Sequence, residues 1–178
     1  MRDFSIPGRS VAVAEHGMVA TSAPMATLAG LDVLRAGGNA MDAAIAAVAV
    51  QSVVEPQSTG IGGDCFVLYS KKGAPPVSLN GSGRTPQAAK IDWYLERQIN
   101  QISTQTAHAV TVPGAVDAWC TLNAEHGTKP LGELLEPAAR AAGSSSSPSG
   151  FVPCSALRVH QASTAPGTVT ACAVWVLI

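Results

Sequence analysis

The sequence predicts a mixed α/β (α+β) fold, and three observations carry that reading. Residues 40–54 are Ala, Val and Ile on nearly every side, the composition of a helix that is buried all round. Two β-rich runs, Cys65-Phe66-Val67-Leu68-Tyr69 and Pro76 to Leu79, flank the turn Lys71-Lys72-Gly73-Ala74-Pro75 and read as a hairpin. Strand-like and helix-like segments alternate through the first 142 residues. A helix without a polar face must be covered on both flanks.

The first element is a short strand, Gly17-Met18-Val19-Ala20-Thr21. Ser22-Ala23-Pro24 then offers a cap and a proline for the first turn of a helix running to Ala36. Met25, Leu28, Leu31 and Leu34 recur at helical spacing and predict its buried face, with Asp32 and Arg35 off it. Gly37-Gly38 stops that helix, Asn39 caps the next, and Glu55-Pro56 ends it. After the glycine-rich turn Ser58 to Asp64 comes the hairpin. Beyond it the pattern predicts an amphipathic helix over Ile91 to Ile102 and a strand over Ala109-Val110-Thr111-Val112. Two further helices follow, Ala115 to Glu125 and Leu131 to Ala142.

Composition excludes several functions. The chain has 178 residues with 47% hydrophobic and 13% charged, so it has enough apolar material for a core. Its net charge is -1 and it has no Lys/Arg run, so no nucleic-acid partner is expected. The apolar run Ala43 to Val54 is well short of the roughly 20 residues that span a bilayer, and no membrane partner is expected. The N-terminus lacks the apolar core of a secretory signal, which predicts a cytoplasmic protein. Cys65, Cys120, Cys154 and Cys172 form no C-x-x-C pair and read as buried or incidental thiols.

The charge pattern breaks near Gly143. Only Arg158 carries charge in the last 36 positions, which open with Gly143-Ser144-Ser145-Ser146-Ser147-Pro148-Ser149-Gly150. The expected division is therefore residues 1–142 as one unit and residues 143–178 as a divergent Ser/Gly/Pro-rich and apolar tail not native to the fold. A tail that docks on a partner is the competing reading; a lost continuation, for instance by a reading-frame shift, is favoured. The apolar end, Ala171 to Ile178, reads as an exposed strand.

Few residues are arranged for chemistry. Gly60-Ile61-Gly62-Gly63 leaves a helix and enters a strand, the reverse of a dinucleotide fingerprint, so it reads as a tight turn rather than an anion cradle. No Gly-x-Ser-x-Gly elbow occurs. His16, His108, His126 and His160 are far apart, and no His or carboxylate pair has ligand spacing; neither metal nor cofactor is expected.

Longer blocks say more. Met18-Val19-Ala20-Thr21-Ser22, Gly37-Gly38-Asn39-Ala40-Met41-Asp42-Ala43-Ala44, Val54-Glu55-Pro56 and Ser58-Thr59-Gly60-Ile61-Gly62-Gly63 occur in order, followed by Val112-Pro113-Gly114-Ala115-Val116-Asp117-Ala118-Trp119 and Leu131-Gly132-Glu133-Leu134-Leu135-Glu136-Pro137-Ala138. Together they resemble the start of the gamma-glutamyltranspeptidase (gamma-glutamyltransferase) family, up to about Ala142.

The resemblance implies an N-terminal nucleophile hydrolase with an αββα sandwich, of which this chain holds the amino-terminal part of the large subunit. Such a precursor cuts itself, and the new N-terminal Thr of its small subunit attacks the amide and passes the acyl group to water or an amine. The expected partners are that small subunit and, in a full-length relative, a small-molecule amide. No Thr here stands in the nucleophile's setting, so no catalytic residue is assigned and the chain alone is expected to be inactive. A non-catalytic interaction module or pseudoenzyme fragment is the alternative. In the glutamyl-transferring members an Arg four residues before a Pro grips the substrate α-carboxylate. Here the block is Asn80-Gly81-Ser82-Gly83-Arg84-Thr85-Pro86, which puts Ser82 at that position and Arg84 two residues later. Ser82 and Arg84 are thus the candidate substrate-binding residues. The Asn-Gly-Ser-Gly-Arg form looks like the transferase-like and acylase-like amidohydrolase branch, which makes glutathione a doubtful substrate.

Overall fold

The computed structural model describes residues 12–103, 105–110, 112–143 and 175–177. Strand β1 (Met18–Ala20) leads into helices α1 (Pro24–Arg35) and α2 (Ala40–Val54), then β2 (Cys65–Tyr69) and β3 (Val77–Gly81). A short helix α3 (Ile91–Leu95) and a 3-10 turn at Ala107–Ala109 precede α4 (Ala115–His126) and α5 (Leu131–Ala141); the last element is strand β4 (Trp175–Leu177). Helix α2 is the hub. Helices α1 and α5 pack along it, and α4 and the hairpin close the remaining side. No residue of α2 is exposed, and Ile45, Ala46 and Ala47 are buried outright. The expected all-round burial holds.

The turn between α1 and α2 is built from backbone geometry. Gly37 has φ of +83°, and the Gly38 N–H reaches Val33 O at 2.9 Å while the Gly37 N–H reaches Leu34 O at 3.0 Å. This paired closure satisfies carbonyls the helix end leaves open, and the left-handed residue costs least as glycine. Asn39 then caps α2 by accepting the Asp42 N–H, and the Asp42 carboxylate accepts the Asn39 N–H in return. The same carboxylate takes hydrogen bonds from the Thr128 N–H and hydroxyl, tying α2 to the α4–α5 connection.

Helix α1 corrects one expectation. Its buried residues are Ala26, Ala29, Gly30 and Val33, whereas Met25 and Leu28 are 55% and 53% exposed. The reason is the closeness of its neighbours. A Cβ on Gly30 would stand 2.9 Å from Val19 Cγ1 and 3.2 Å from Ala43 O, so the small-residue face lies against β1 and α2, while Leu34, the last residue of the expected stripe, packs partly buried against the core. Nor does Ser22 cap α1. Its hydroxyl donates to the Glu55 carboxylate, and the Gln51 side-chain amide donates to Ser22 Oγ at 2.6 Å.

Two other expectations are shortened. The helix expected over 91–102 stops at Leu95, because Gln98 sits at φ of 55° and the Ile99 N–H turns back to Tyr94 O. Ile91 and Leu95 are exposed, so no core face extends it. Where a strand was expected at 109–112, a 3-10 turn ends at Ala109, and Val112 makes one long backbone bond to Arg84 O instead of joining a ladder. Residue 111 lies outside the described residues.

The strands form two antiparallel pairs. Hairpin β2–β3 pairs Cys65 with Gly81 through Tyr69 with Val77 and turns Cys65, Val67, Tyr69 and Leu79 toward α2 and α4. Strand β1 pairs with β4, Met18 opposite Leu177. The apolar end of the chain therefore contributes a paired strand rather than an exposed one; the rest of the expected tail lies outside the described residues. Cys65 is buried and Cys120 is disulfide-bonded, so Cys120 is not the incidental thiol expected; Cys154 and Cys172 lie outside the described residues. No helix among the described residues is long and apolar enough to cross a membrane.

Candidate functional site

The candidate site is the loop that leaves β3. Gly81 ends the strand, the Ser82 N–H is held by Asn80 Oδ1 at 3.0 Å, and Arg84 is exposed with its carbonyl accepting the Val112 N–H at 3.4 Å. Ser82 itself is half-buried. An asparagine whose side chain bonds the backbone two residues on is a local turn device, which fixes the direction in which the chain leaves the sheet.

Three glycines let this loop lie against the start of α4. A Cβ on Gly81 would meet Ala118 Cβ at 2.6 Å and Cys65 O at 2.7 Å, and one on Gly114 would meet Gly81 O at 2.2 Å. One on Gly83 would overlap the Val112 carbonyl. The glycine-rich turn before β2 reaches the same place, since the Gly114 and Ala115 N–H groups both donate to Gly63 O, at 3.0 and 2.9 Å. Four separate stretches thus converge: residues 60–63, residues 81–84, Val112 and the first turn of α4.

This convergence refines the sequence reading. The turn at 60–63 is tight, with the Gly63 N–H on Gly60 O at 3.1 Å, but Gly60 and Gly62 stand in open space. The close backbone approaches belong to Gly81, Gly83 and Gly114. Because Gly63 presents a carbonyl to the helix start and not an N–H to an anion, the arrangement does not form a phosphate cradle. The signal available in the sequence was the recurrence of glycine at 81, 83 and 114 beside apolar runs.

The histidines remain apart. His16 is exposed beside Glu15, His108 packs tilted against Trp93 and edge-on to Tyr94, His126 lies 5.0 Å ring to ring from Tyr69, and His160 lies outside the described residues. Thr21 donates its hydroxyl to Ala23 O at 2.7 Å, and Thr59 is buried in the turn after α2. Among the described residues no group of three His, Cys, Asp or Glu side chains could hold a metal ion.

Comparison with known proteins gives the chain its family. Residues 26–149 match the gamma-glutamyltranspeptidase family. The acylase ACY 1 proenzyme of Pseudomonas sp. (strain V22) is 37% identical over 137 residues, covering 71% of this chain and 24% of the relative. The glutathione hydrolase-like YwrD proenzyme of Bacillus subtilis (strain 168) is 39% identical over 122 residues, covering 68% and 23% respectively. Among solved structures, the cephalosporin acylase from Bacillus halodurans superposes with a TM-score of 0.72 at 44% identity, covering 80% of this chain and 27% of that one. The chain spans about a quarter of the length of the curated relatives it matches. With its capped central helix, hairpin and convergent loops all inside the matched span, the chain belongs to the gamma-glutamyltranspeptidase family and corresponds to the N-terminal region of its members.

Proposed function

We propose that this chain is the amino-terminal segment of a self-processing amidohydrolase or acyltransferase, built on the αββα sandwich of N-terminal nucleophile hydrolases. The whole precursor moves an acyl group from a γ-glutamyl or related amide to water or an amine. In this reading residues 1–142 belong to the large subunit and residues 143–178 replace its proper continuation. Ser82 and Arg84 line the substrate side of the site, the small subunit supplies the nucleophilic Thr, and the protein works in the cytoplasm without metal or cofactor.

The observation that supports the reading best is the family match over residues 26–149, which covers residues 26–142 and ends shortly after them, in a chain with no Thr in the nucleophile's setting. A missing nucleophile removes most of an enzyme's acceleration, commonly several orders of magnitude. The chain alone should therefore release no chromophore from a γ-glutamyl anilide above a boiled control. Fusion of residues 1–142 to the remainder of an acylase relative should restore self-cleavage and amide hydrolysis. Activity of the chain alone, or a fusion that folds and cleaves itself but hydrolyses no amide, would overturn the proposal. The DNA downstream, read in another frame, should encode more large subunit and then a Thr-led small subunit.

A further inference from the structure

Strand β2 is paired on one side only. Phe66 to Tyr69 pair with β3, and among the described residues no backbone group bonds their other edge. That edge has none of the usual protections, since residues 65–70 carry no charge and no proline and the register to β3 runs without a bulge. The open side is also apolar. Ala40, Ala44 and Val48, at successive turns of α2, are half-buried and line one groove together with β2. On the outer face Phe66 and Leu68 are 49% and 69% exposed, while Asn80 and Ser78 opposite them on β3 are polar. The uncovered apolar surface therefore lies toward the free edge of β2 and not toward β3.

Charge decides what fits there. Asp64 precedes β2, and the exposed Lys71 and Lys72 follow it. A second β2 laid antiparallel, Val67 opposite Val67, sets Phe66 against Leu68 twice and brings Asp64 of each copy beside Ser70 and Lys71 of the other. A parallel copy in register would put acid on acid and lysine on lysine, so the strand is complementary to itself in one direction only. We propose that two copies of this chain associate through β2 about a two-fold axis at Val67, giving a four-stranded antiparallel sheet with the two β2 strands at its centre. The axis is normal to the sheet, so both α2 helices lie on one face and each turns its stripe of Ala40, Ala44 and Val48 toward the other. The pairing does not rest on the enzymatic reading.

Sedimentation equilibrium of the full chain tests this. The interface is small, so the mass should rise from one copy to two over about 1–100 μM and then stop. Leu68→Lys, at an exposed position, should weaken association at least about tenfold with circular dichroism unchanged. Should that variant fail to fold, Lys71→Glu with Lys72→Glu changes only exposed side chains; it should weaken association about fivefold, a difference that closes at about 1 M salt. Register is read by oxidative cross-linking. A mixture of Phe66→Cys and Leu68→Cys chains should form the 66–68 disulfide between copies about tenfold faster than either variant alone links to itself, by mass spectrometry of the joined peptides. A single-copy mass at every concentration, growth beyond two copies, or charge variants that associate like the parent would overturn the pairing. Cross-linking of Phe66→Cys to Cys154 or Cys172 of its own chain would place the chain's own end on β2 and overturn it equally.

Discussion

The carboxylate of Asp42 and the side chain of Thr128, 86 residues apart in sequence, are joined by a 2.5 Å hydrogen bond, with the Thr128 N–H on the same carboxylate at 3.0 Å. Asp42 is fully buried, and its partners Asn39 and Thr128 are neutral donors. A lone buried charge would be costly, but a carboxylate that fills its lone pairs with N–H and O–H donors at a helix start also gains from the helix dipole.

Asp42→Ala removes that acceptor and strands its donors. The expected loss is about 3 kcal/mol, in the range measured for breaking a buried hydrogen-bonded charge. A urea titration followed by circular dichroism checks it. Loss of less than about 1 kcal/mol would mean that water replaces the carboxylate without penalty. Asn39 adds a second tie between the same elements, its side-chain amide donating to His126 O at 2.7 Å, so Asp42→Ala and Asn39→Ala should be less than additive.

The two faces of α1 make a contrast that is easy to measure. Gly30→Val should destabilise by about 2 kcal/mol, because its Cβ would already crowd Val19 and the Ala43 carbonyl before the methyls are added. Leu28→Ala, at a position 53% exposed, should change stability by no more than about 0.5 kcal/mol. If the leucine variant costs more than the glycine variant, the buried face of α1 is the one its leucine spacing predicted.

The buried face of α1 shows what pattern alone can and cannot tell. Helix limits were legible wherever a local device sets them, as with Gly37, Asn39 and Glu55, because caps and left-handed turns act over a few residues. Which face of α1 is buried was not, since Met25, Leu28 and Leu31 fit one helical stripe as well as Ala26, Ala29 and Val33 fit another. The choice is made by the crowding at Val19 and Ala43, which belong to other elements. Ile91 to Ile102 failed for a related reason: its apolar spacing had no surface to be buried against. The Asn39 cap was legible at its helix start, whereas the return bond from Asp42 and its tie to Thr128, 86 residues away, emerged only in three dimensions. The loop at Ser82 and Arg84 was placed by resemblance, and its convergence with Gly63 and Gly114 emerged only in three dimensions.

Burial of α2 gives the most severe prediction. Ala47 is wholly buried on a helix with no exposed residue, so Ala47→Asp would put an unpaired charge among methyl groups. Soluble expression should be lost, while Ala47→Ser, which can return its hydroxyl to a carbonyl one turn back, should fold with a modest loss. Native-like solubility and circular dichroism in the aspartate variant would show that α2 is not internal.

The identity of residue 82 bears on which amide a full-length precursor would take. A guanidinium offers a carboxylate two parallel charge-assisted bonds, whereas a serine hydroxyl offers one neutral bond. A precursor that carries Ser82 should therefore favour amides without an α-carboxylate over glutathione. Ser82→Arg should raise kcat/KM for glutathione by about tenfold to a hundredfold, the scale of one charge-assisted contact. The competing clamp is Arg84, which is exposed, two residues on, and held through its carbonyl, which accepts the Val112 N–H. Its stem is long enough to swing across. Measuring kcat/KM on glutathione and on an amide lacking the α-carboxylate, before and after Arg84→Ala, separates the two. A strong glutathione preference that disappears only in the Arg84 variant would show that Arg84 is the clamp and that Ser82 does not set the substrate class. If instead Arg84→Ala leaves both rates within about twofold while Ser82→Arg shifts the preference, selection against the α-carboxylate rests on the missing guanidinium at position 82.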